Sequence, residues 1–248
     1  MMDIREIIQG MPQTEKEYWK DPELAESEAT VLRVVKDKGN HYLVTDKTVF
    51  YPQGGDQAGD KGQITSQAGR MEVKKIFISG GVILHYGKVE GIIGEGEKVE
   101  MKIDLERRVV NTKMHSLGHL VGSCVWALRP ELPSPDSQMA RPGWINILGD
   151  LSDEEISKVK EMTNKAIAED QKTTIRFVSL EELKRICKHL PDKLPSQNLR
   201  IVQQGDFEPI PCGGTHVGSL GVLKGLRMLE LKPSEKPGEK LLWFDFED

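Results

Sequence analysis

The sequence predicts an α+β protein whose first part is all β and whose second part alternates helices with strands. Short β-prone runs, separated by glycine-rich turns, follow one another between residues 29 and 103. Apolar residues at helical spacing begin near Asp104, where the periodicity changes from that of strands to that of helices. Capping-box patterns at Ser152 and Ser179 predict the starts of further helices.

The first part is predicted to be a small barrel or a sandwich, because its strands are short and closely spaced. Turn residues such as Asp37-Lys38-Gly39-Asn40 and Gly94-Glu95-Gly96 separate the strands. Residues 1–28 are predicted to form an N-terminal extension that contains one short helix. The predicted strands are Ala29–Val35, His41–Thr45, Gln63–Ser66, Met71–Ser79, Val82–Tyr86 and Lys98–Ile103.

The second part is predicted to start with a long helix that Pro130 and Pro133 end. A domain boundary is expected near residue 105, between a domain over residues 29–105 and one over residues 106–248. The helix face consists of Val109, Met114, Leu117, Leu120, Val121, Cys124 and Leu128. Strands are predicted over Thr174–Ser179, Leu199–Gln203, Leu223–Leu231 and Leu241–Phe246.

Composition and charge favour a soluble cytoplasmic protein. The chain has 248 residues, of which 38% are hydrophobic and 29% charged, and its apolar runs are shorter than the roughly 18 residues of a membrane span. The net charge of −5 argues against a protein that coats DNA or RNA non-specifically, but allows one that takes an RNA end into a pocket. Three cysteines do not predict a disulfide scaffold.

Two pairs of residues have the spacing of metal ligands. His115 and His119 lie four residues apart on the predicted helix, so both rings can reach one ion. Cys212 and His216 have the same spacing, and together the pairs offer three nitrogens and one sulfur, a set that suits tetrahedral zinc. Spacing alone leaves open a packed core or a purely structural zinc. Ser116 stands where zinc peptidases of the His-Glu-x-x-His type carry their general base, which argues against that class.

A glycine-rich segment, residues 51–62, follows Thr48 and contains Gln57. Its four glycines allow close approach of the backbone, but their spacing is that of neither a P-loop nor a dinucleotide fingerprint. The segment is interpreted either as an ordinary pair of β-turns or as a ligand-binding loop in which Gln57 presents its amide.

These motifs together resemble the editing domain of alanyl-tRNA synthetase and its free-standing relatives, the AlaX trans-editing proteins. The matching residues are His115-x3-His119, Cys212-Gly-Gly-Thr-His216 and the segment from Thr48 to Asp60. The resemblance covers residues 29–248. It implies an N-terminal β-barrel followed by an α+β editing domain shared with threonyl- and alanyl-tRNA synthetases, with zinc held by His115, His119, Cys212 and His216.

The resemblance also implies a function. The family hydrolyses the ester that joins a wrong amino acid, usually serine and sometimes glycine, to alanine tRNA. The partner is then the acceptor end of mischarged tRNA(Ala), with no membrane or DNA partner, and Thr48 and Gln57 are the candidate catalytic residues of the polar lining. Editing in trans is expected because nothing in the chain resembles an aminoacylation core. The oligomeric state is left open.

The chain departs from the family pattern at two places. Ser116, Leu117 and Gly118 stand where Thr and Ala are common, and Asp56 stands where a third glycine is frequent. The preference for serine is therefore less firmly implied than hydrolysis. Two alternatives remain: an aminoacyl-tRNA-binding module with a structural zinc, and a deacylase for a different aminoacyl-tRNA. Local basic clusters are more typical of solvated surface than of RNA-binding sites, and both interpretations stay open for Lys74-Lys75, Arg107-Arg108, Lys184-Arg185-Lys188 and Lys224-Arg227.

Overall fold

The computed structural model describes residues 3–132, 134, 136–190, 194 and 199–247. The chain divides into two compact units, Met1–Gly54 with Ala58–Val110, and Gly55–Gln57 with Asn111–Asp248. The predicted α+β class is confirmed, because a closed antiparallel barrel is accompanied by helices and further sheets. Among the described residues, no helix combines the length and the apolar character that crossing a membrane requires.

The first unit contains the barrel, which closes in the strand order β2-β3-β7-β6-β5-β8. Alternation explains its interior: in β8 the apolar residues Val99, Met101 and Ile103 are buried and the charged residues between them are exposed. The elements are α1 (Ile4–Ile7), β1 (Glu15–Lys16), a 3₁₀ turn (Glu17–Trp19), β2 (Glu26–Asp37), β3 (Asn40–Thr45), β4 (Lys47–Thr48), β5 (Gly62–Thr65), β6 (Gly69–Ser79), β7 (Val82–Gly91) and β8 (Lys98–Ile103).

The N-terminal residues pack on the barrel. The predicted short helix occurs at α1, and β1 pairs in parallel with β4. Tyr18 is 2% exposed and belongs to the core cluster of the barrel. Residues 15–19 therefore contribute to the first unit through burial of an aromatic side chain, which the polar composition of the segment did not indicate.

The sequence predicts that Arg108 lies at the surface, as solvated charge or as an RNA contact, and both interpretations are wrong for this residue. Its side chain is fully buried and forms an ion pair with the equally buried Asp60. The guanidinium also donates to the carbonyl oxygens of Val49 (2.6 Å) and Pro22 (3.0 Å). The charge is therefore used inside the first unit, and the sequence offered no signal for its burial because an isolated arginine is usually exposed.

In its described residues, the second unit combines three α-helices with two antiparallel sheets. Sheet orders are β14-β15-β10-β9 and β11-β12-β13. The elements are α2 (Leu105–Leu128, in this unit from residue 111), β9 (Ser137–Gln138), β10 (Gly143–Leu148), α3 (Asp153–Ala168), β11 (Thr173–Val178), α4 (Leu180–Ile186), β12 (Leu199–Gln204), β13 (Ile210–Pro211), a 3₁₀ turn (Leu220–Leu223), β14 (Leu226–Pro233) and β15 (Glu239–Phe246).

Helix α2 is the longest helix in the described part of the chain. It ends before Pro130, as predicted; Pro133 lies outside the described residues. The helix contacts both sheets: Gln204 of β12 donates to the carbonyl oxygen of Ser116 (2.9 Å), and Gly118 faces Phe244 of β15. A Cβ at position 118 would overlap the sulfur of Met139. Gly118 therefore allows close packing at a position where its helix propensity is a disadvantage.

Candidate metal centre

The two predicted ligand pairs converge in the second unit. His115, His119, Cys212 and His216 place their ligand atoms within 4.8 Å of one another. The Cys212 sulfur lies 3.4 Å from Nε2 of His115 and 3.3 Å from Nε2 of His216. Helix α2 presents His115 and His119 on one face, and the loop after β13 supplies Cys212 and His216. The cluster can therefore hold a metal ion.

Hydrogen bonds fix the orientation of two of the imidazole rings. Nδ1 of His115 lies 2.6 Å from Oε1 of Gln57, and Nδ1 of His216 lies 3.3 Å from the Ser116 hydroxyl. That hydroxyl donates to the carbonyl oxygen of Thr112 at 2.9 Å, so it accepts from His216. Each Nδ1 thus carries the proton, which leaves Nε2 of both rings to bind a metal, and such partners commonly orient metal-binding histidines.

Gln57 belongs to this centre although it is distant in sequence. It is fully buried, and its Oε1 also accepts from the Thr215 backbone at 3.1 Å while its Nε2 donates to the Thr215 hydroxyl at 2.8 Å. The Thr112 hydroxyl lies 2.6 Å from that of Thr215. The amide of Gln57 is therefore used to connect helix α2 with the loop that carries Cys212 and His216.

Thr48, the other candidate of the glycine-rich region, lies in the first unit. Its buried hydroxyl accepts from the Phe50 backbone at 3.0 Å and bonds Nε2 of His85 at 2.9 Å. Because Nδ1 of His85 faces the carbonyl oxygen of Leu43 at 3.3 Å, Thr48 is the donor to Nε2. These contacts give the hydroxyl a structural role in the barrel; a role in catalysis stays a prediction.

Burial dominates the electrostatics of the candidate ligands. It lowers the pKa of His119 to about 4 and the pKa of His115 and His216 well below the ordinary value, with neighbouring imidazoles and Arg200 adding to the effect. Burial raises the pKa of the Cys212 thiol to about 11, although the Gly214 N–H and Arg200 oppose it. At neutral pH the rings are thus neutral and ready to bind a metal, whereas the thiol must release its proton on binding.

Several residues of the centre were not predicted. Thr112 and Ser116 lie one helical turn apart next to His115, and Thr215 lies inside the Cys-Gly-Gly-Thr-His motif, so proximity in sequence was an available signal. Arg200 had none: it lies in β12, and its guanidinium donates to the Cys212 carbonyl oxygen at 2.7 Å. Gly214 approaches closely, because a Cβ there would overlap the His115 ring.

The comparison with known proteins supports the motif resemblance. A family model described as "tRNA synthetases class II (A)" matches residues 15–107, a range that includes Gln57 and ends before the first candidate metal ligand, His115. The chain is 34% identical over 224 residues to the alanyl-tRNA editing protein AlaX-L of Pyrococcus horikoshii. The matched region covers 86% of this chain and 54% of that protein. The chain is 29% identical over 246 residues to the alanine–tRNA ligase of Pyrococcus abyssi.

The alanine–tRNA ligase of Pyrococcus furiosus is 27% identical over 246 residues. Each of the two ligases covers 96% of this chain, and this chain covers 26% of each ligase. The chain thus spans about half the length of AlaX-L and about a quarter of the ligases. By sequence, the chain is similar to the alanyl-tRNA editing protein AlaX-L and to about a quarter of alanine–tRNA ligase, in agreement with the resemblance of its motifs.

Proposed function

We propose that the chain hydrolyses the ester bond of mischarged alanine tRNA at a zinc site formed by His115, His119, Cys212 and His216. The observation that carries the proposal is the convergence of these four donors in a relative of alanyl-tRNA editing proteins. Water cleaves the ester, releasing the free amino acid and restoring the 2′- or 3′-hydroxyl of the terminal adenosine. Seryl-tRNA(Ala) is the proposed main substrate and glycyl-tRNA(Ala) the second.

The donor set and its spacing support zinc. Bonds of about 2.0–2.3 Å in a tetrahedron separate the ligand atoms by about 3.3–3.8 Å, close to the observed 3.3 and 3.4 Å between sulfur and nitrogen. When bound, zinc supplies a Lewis acid for the ester carbonyl. The protein's own contribution is to hold the rings: Gln57 orients His115 and Ser116 orients His216. We therefore assign Gln57 primarily a positioning role.

Recognition of the amino acid needs a polar lining. A synthetase pocket for alanine discriminates poorly against small side chains. A hydrolytic site can instead require the serine hydroxyl, because alanine would leave a buried polar group of the site unpaired at a cost of about 1–3 kcal/mol. Thr48 and Gln57 stay the proposed residues for this lining. Both already have protein partners, so the substrate hydroxyl would be an additional partner.

One alternative has an observation in its favour. Four protein donors can complete a tetrahedral shell, as in structural zinc sites, which would leave a module that only binds aminoacyl-tRNA. Partial exposure of His119 and Cys212 favours a centre that substrate can reach. Multiple turnovers per protein chain would exclude the binding module. The acceptor end of tRNA(Ala) is the proposed partner in either case, and the cytoplasm the proposed location.

The decisive experiment is a deacylation assay on purified protein with seryl-, glycyl- and alanyl-tRNA(Ala), with and without a chelator. We expect hydrolysis of the seryl ester, sparing of the alanyl ester and loss of activity on chelation. Cys212→Ala should abolish the activity. Cys187→Ala is the matched control, because Cys187 is buried against Leu183, Leu199 and Ile201, outside the metal centre.

Two outcomes would contradict the proposal. Absence of turnover above background by zinc-loaded protein would remove the hydrolase function. Hydrolysis of a different aminoacyl-tRNA in a wider panel, with seryl-tRNA(Ala) untouched, would keep the chemistry but replace the substrate.

A further inference from the structure

Asp56 is held in an unusual conformation next to Gln57. Its φ of 64° lies in the left-handed region, which residues other than glycine seldom adopt. Its carbonyl oxygen accepts from the Met139 backbone at 3.0 Å, and its carboxylate oxygen Oδ2 accepts from the Ser137 hydroxyl. Both the backbone and the side chain of Asp56 are thus tied to residues 137–139.

Two connections place Asp56 at the edge of the metal centre. The next residue, Gln57, bonds the His115 ring at 2.6 Å. Met139, which bonds the Asp56 carbonyl, packs against Gly118 on the helical turn between His115 and His119. The Asp56 carboxylate also acts on Cys212, because it raises the pKa of the thiol. In contrast to the buried His115 and His216, Asp56 is exposed to solvent.

Two charged side chains near the metal centre differ in their exposure to solvent. Among the described residues, the charged side chains outside the ligand set that shift the pKa values of the four ligands are Arg200 and Asp56. Arg200 is buried and its guanidinium bonds the Cys212 carbonyl oxygen. Of these two charged groups, the Asp56 carboxylate is the one that a cationic substrate group can reach from solvent, and its neighbours Gln57 and Met139 contact the centre. Within the described part of the chain, Oδ1 of Asp56 accepts no hydrogen bond, which leaves this oxygen for a ligand.

An aminoacyl ester carries such a cationic group, since its α-ammonium is attached to the carbon next to the ester carbonyl. We propose that the Asp56 carboxylate binds the α-ammonium of the substrate and thereby places the ester carbonyl at the metal centre. This inference rests on the proposed deacylase function. It assigns Asp56 a role in binding the part of the substrate that all aminoacyl esters share, rather than the serine side chain.

The test compares seryl-tRNA(Ala) with N-acetyl-seryl-tRNA(Ala), which lacks the positive charge. Asp56→Asn keeps the shape, removes the charge and tolerates the left-handed backbone. We expect kcat/KM for the free-amine substrate to fall about 10- to 100-fold, the usual effect of losing a hydrogen bond between charged groups, and kcat/KM for the acetylated substrate to stay unchanged. Asp136→Asn is the matched control, because it removes the same charge from the neighbouring exposed carboxylate. This variant should keep the preference for the free-amine substrate over the acetylated substrate.

A binding measurement separates this inference from the proposed function. A seryl-adenosine analogue with an amide in place of the ester cannot be hydrolysed, and its Kd should rise in Asp56→Asn only while its amine is free. Elemental analysis must find equal zinc in wild type and variant. If wild type hydrolyses seryl-tRNA(Ala) and Asp56→Asn keeps the preference for the free amine, the role of Asp56 is wrong and the function stands. If wild type hydrolyses neither substrate, the proposed function is wrong. Equal Kd values of wild type for the analogue with a free amine and the analogue with an acetylated amine would overturn the role of Asp56 as well.

Discussion

Gly214 allows the His115 ring to occupy its position. In Gly214→Ala the added Cβ would overlap that ring and lie 3.0 Å from Oε1 of Gln57. Because the ring and its partner must both move, we expect zinc affinity to fall about 10- to 100-fold, as when the partner of a metal-binding histidine is lost. Competition with a chromophoric chelator measures the change.

The adjacent glycine provides the control for this prediction. A Cβ at position 213 meets no atom within 4 Å, and neither glycine has a positive φ, so backbone strain affects neither variant. Gly213→Ala should bind zinc as wild type does. Equal affinities of the two variants would show that the close approach at Gly214 does not matter for the metal.

Single residues of the site were predictable to different degrees. The ligand pairs follow from a four-residue spacing, which one element can satisfy locally. The hydrogen-bond partners of the imidazole rings cannot be read from local spacing, because Gln57 is separated from His115 by 58 residues and Ser116 from His216 by 100. Only the folded chain reveals that the amide and the hydroxyl serve the imidazoles.

At the scale of elements, alternating and helical periodicity located most strands and helices, with errors mainly at their ends. Strand β2 extends beyond the predicted Ala29–Val35 to Glu26–Asp37, because pairing with β3 and β8 continues into polar residues. The predicted strand Leu223–Leu231 starts later, at Leu226, since Lys224 and Gly225 adopt positive φ. Strand β10 was not predicted; its partner β15 lies about a hundred residues further along the chain.

Strand β7 carries a buried titratable group, His85. Burial lowers its pKa to about 4, although the Leu43 carbonyl oxygen opposes the shift. In the unfolded chain the ring takes up a proton below its ordinary pKa of about 6.5, whereas the folded barrel excludes the proton until about pH 4. The free energy of unfolding should therefore be unaffected by His85 above pH 6.5 and should fall by about 3 kcal/mol as the pH drops from 6.5 to 4.

Denaturant unfolding at several pH values tests this contribution. The difference between wild type and His85→Asn isolates His85 from the other histidines, and the wild-type stability should decline more steeply between pH 6.5 and 4. Parallel pH profiles for the two proteins would contradict the assignment.

At the scale of the whole molecule, the sequence predicts the α+β class, but the pattern of strands does not predict that the sheet of the first unit closes into a barrel. Short alternating strands are compatible with both a barrel and a sandwich, and the choice depends on which edges pair. Here β8 pairs with both β2 and β5, contacts between residues up to 76 positions apart (26 with 102) that no local pattern encodes. The motif resemblance, rather than periodicity, implied the barrel.

The stability of the first unit should depend strongly on the buried ion pair of Arg108 and Asp60. Arg108→Met leaves the buried carboxylate without its counter-ion, which typically costs about 3–5 kcal/mol of unfolding free energy. Arg107→Met is the matched control. Because Arg107 is partly exposed and donates to the Gly59 carbonyl oxygen at 3.3 Å, its replacement should lower the free energy of unfolding by about 1 kcal/mol or less. Equal losses in the two variants, measured by denaturant unfolding, would refute the distinction.

The separation of the ligand pairs along the chain also bears on folding. Cys212 and His115 are 97 positions apart, so a cation shared by the two pairs would close a long loop of the unfolded polypeptide. The conformational entropy lost on closing such a loop grows only slowly with its length, and the free energy of metal binding would be coupled to folding, because the four donors come together only in the folded chain. The cation would then act as a reversible cross-link, and the four ligand atoms that hold it would also increase the stability of the second unit.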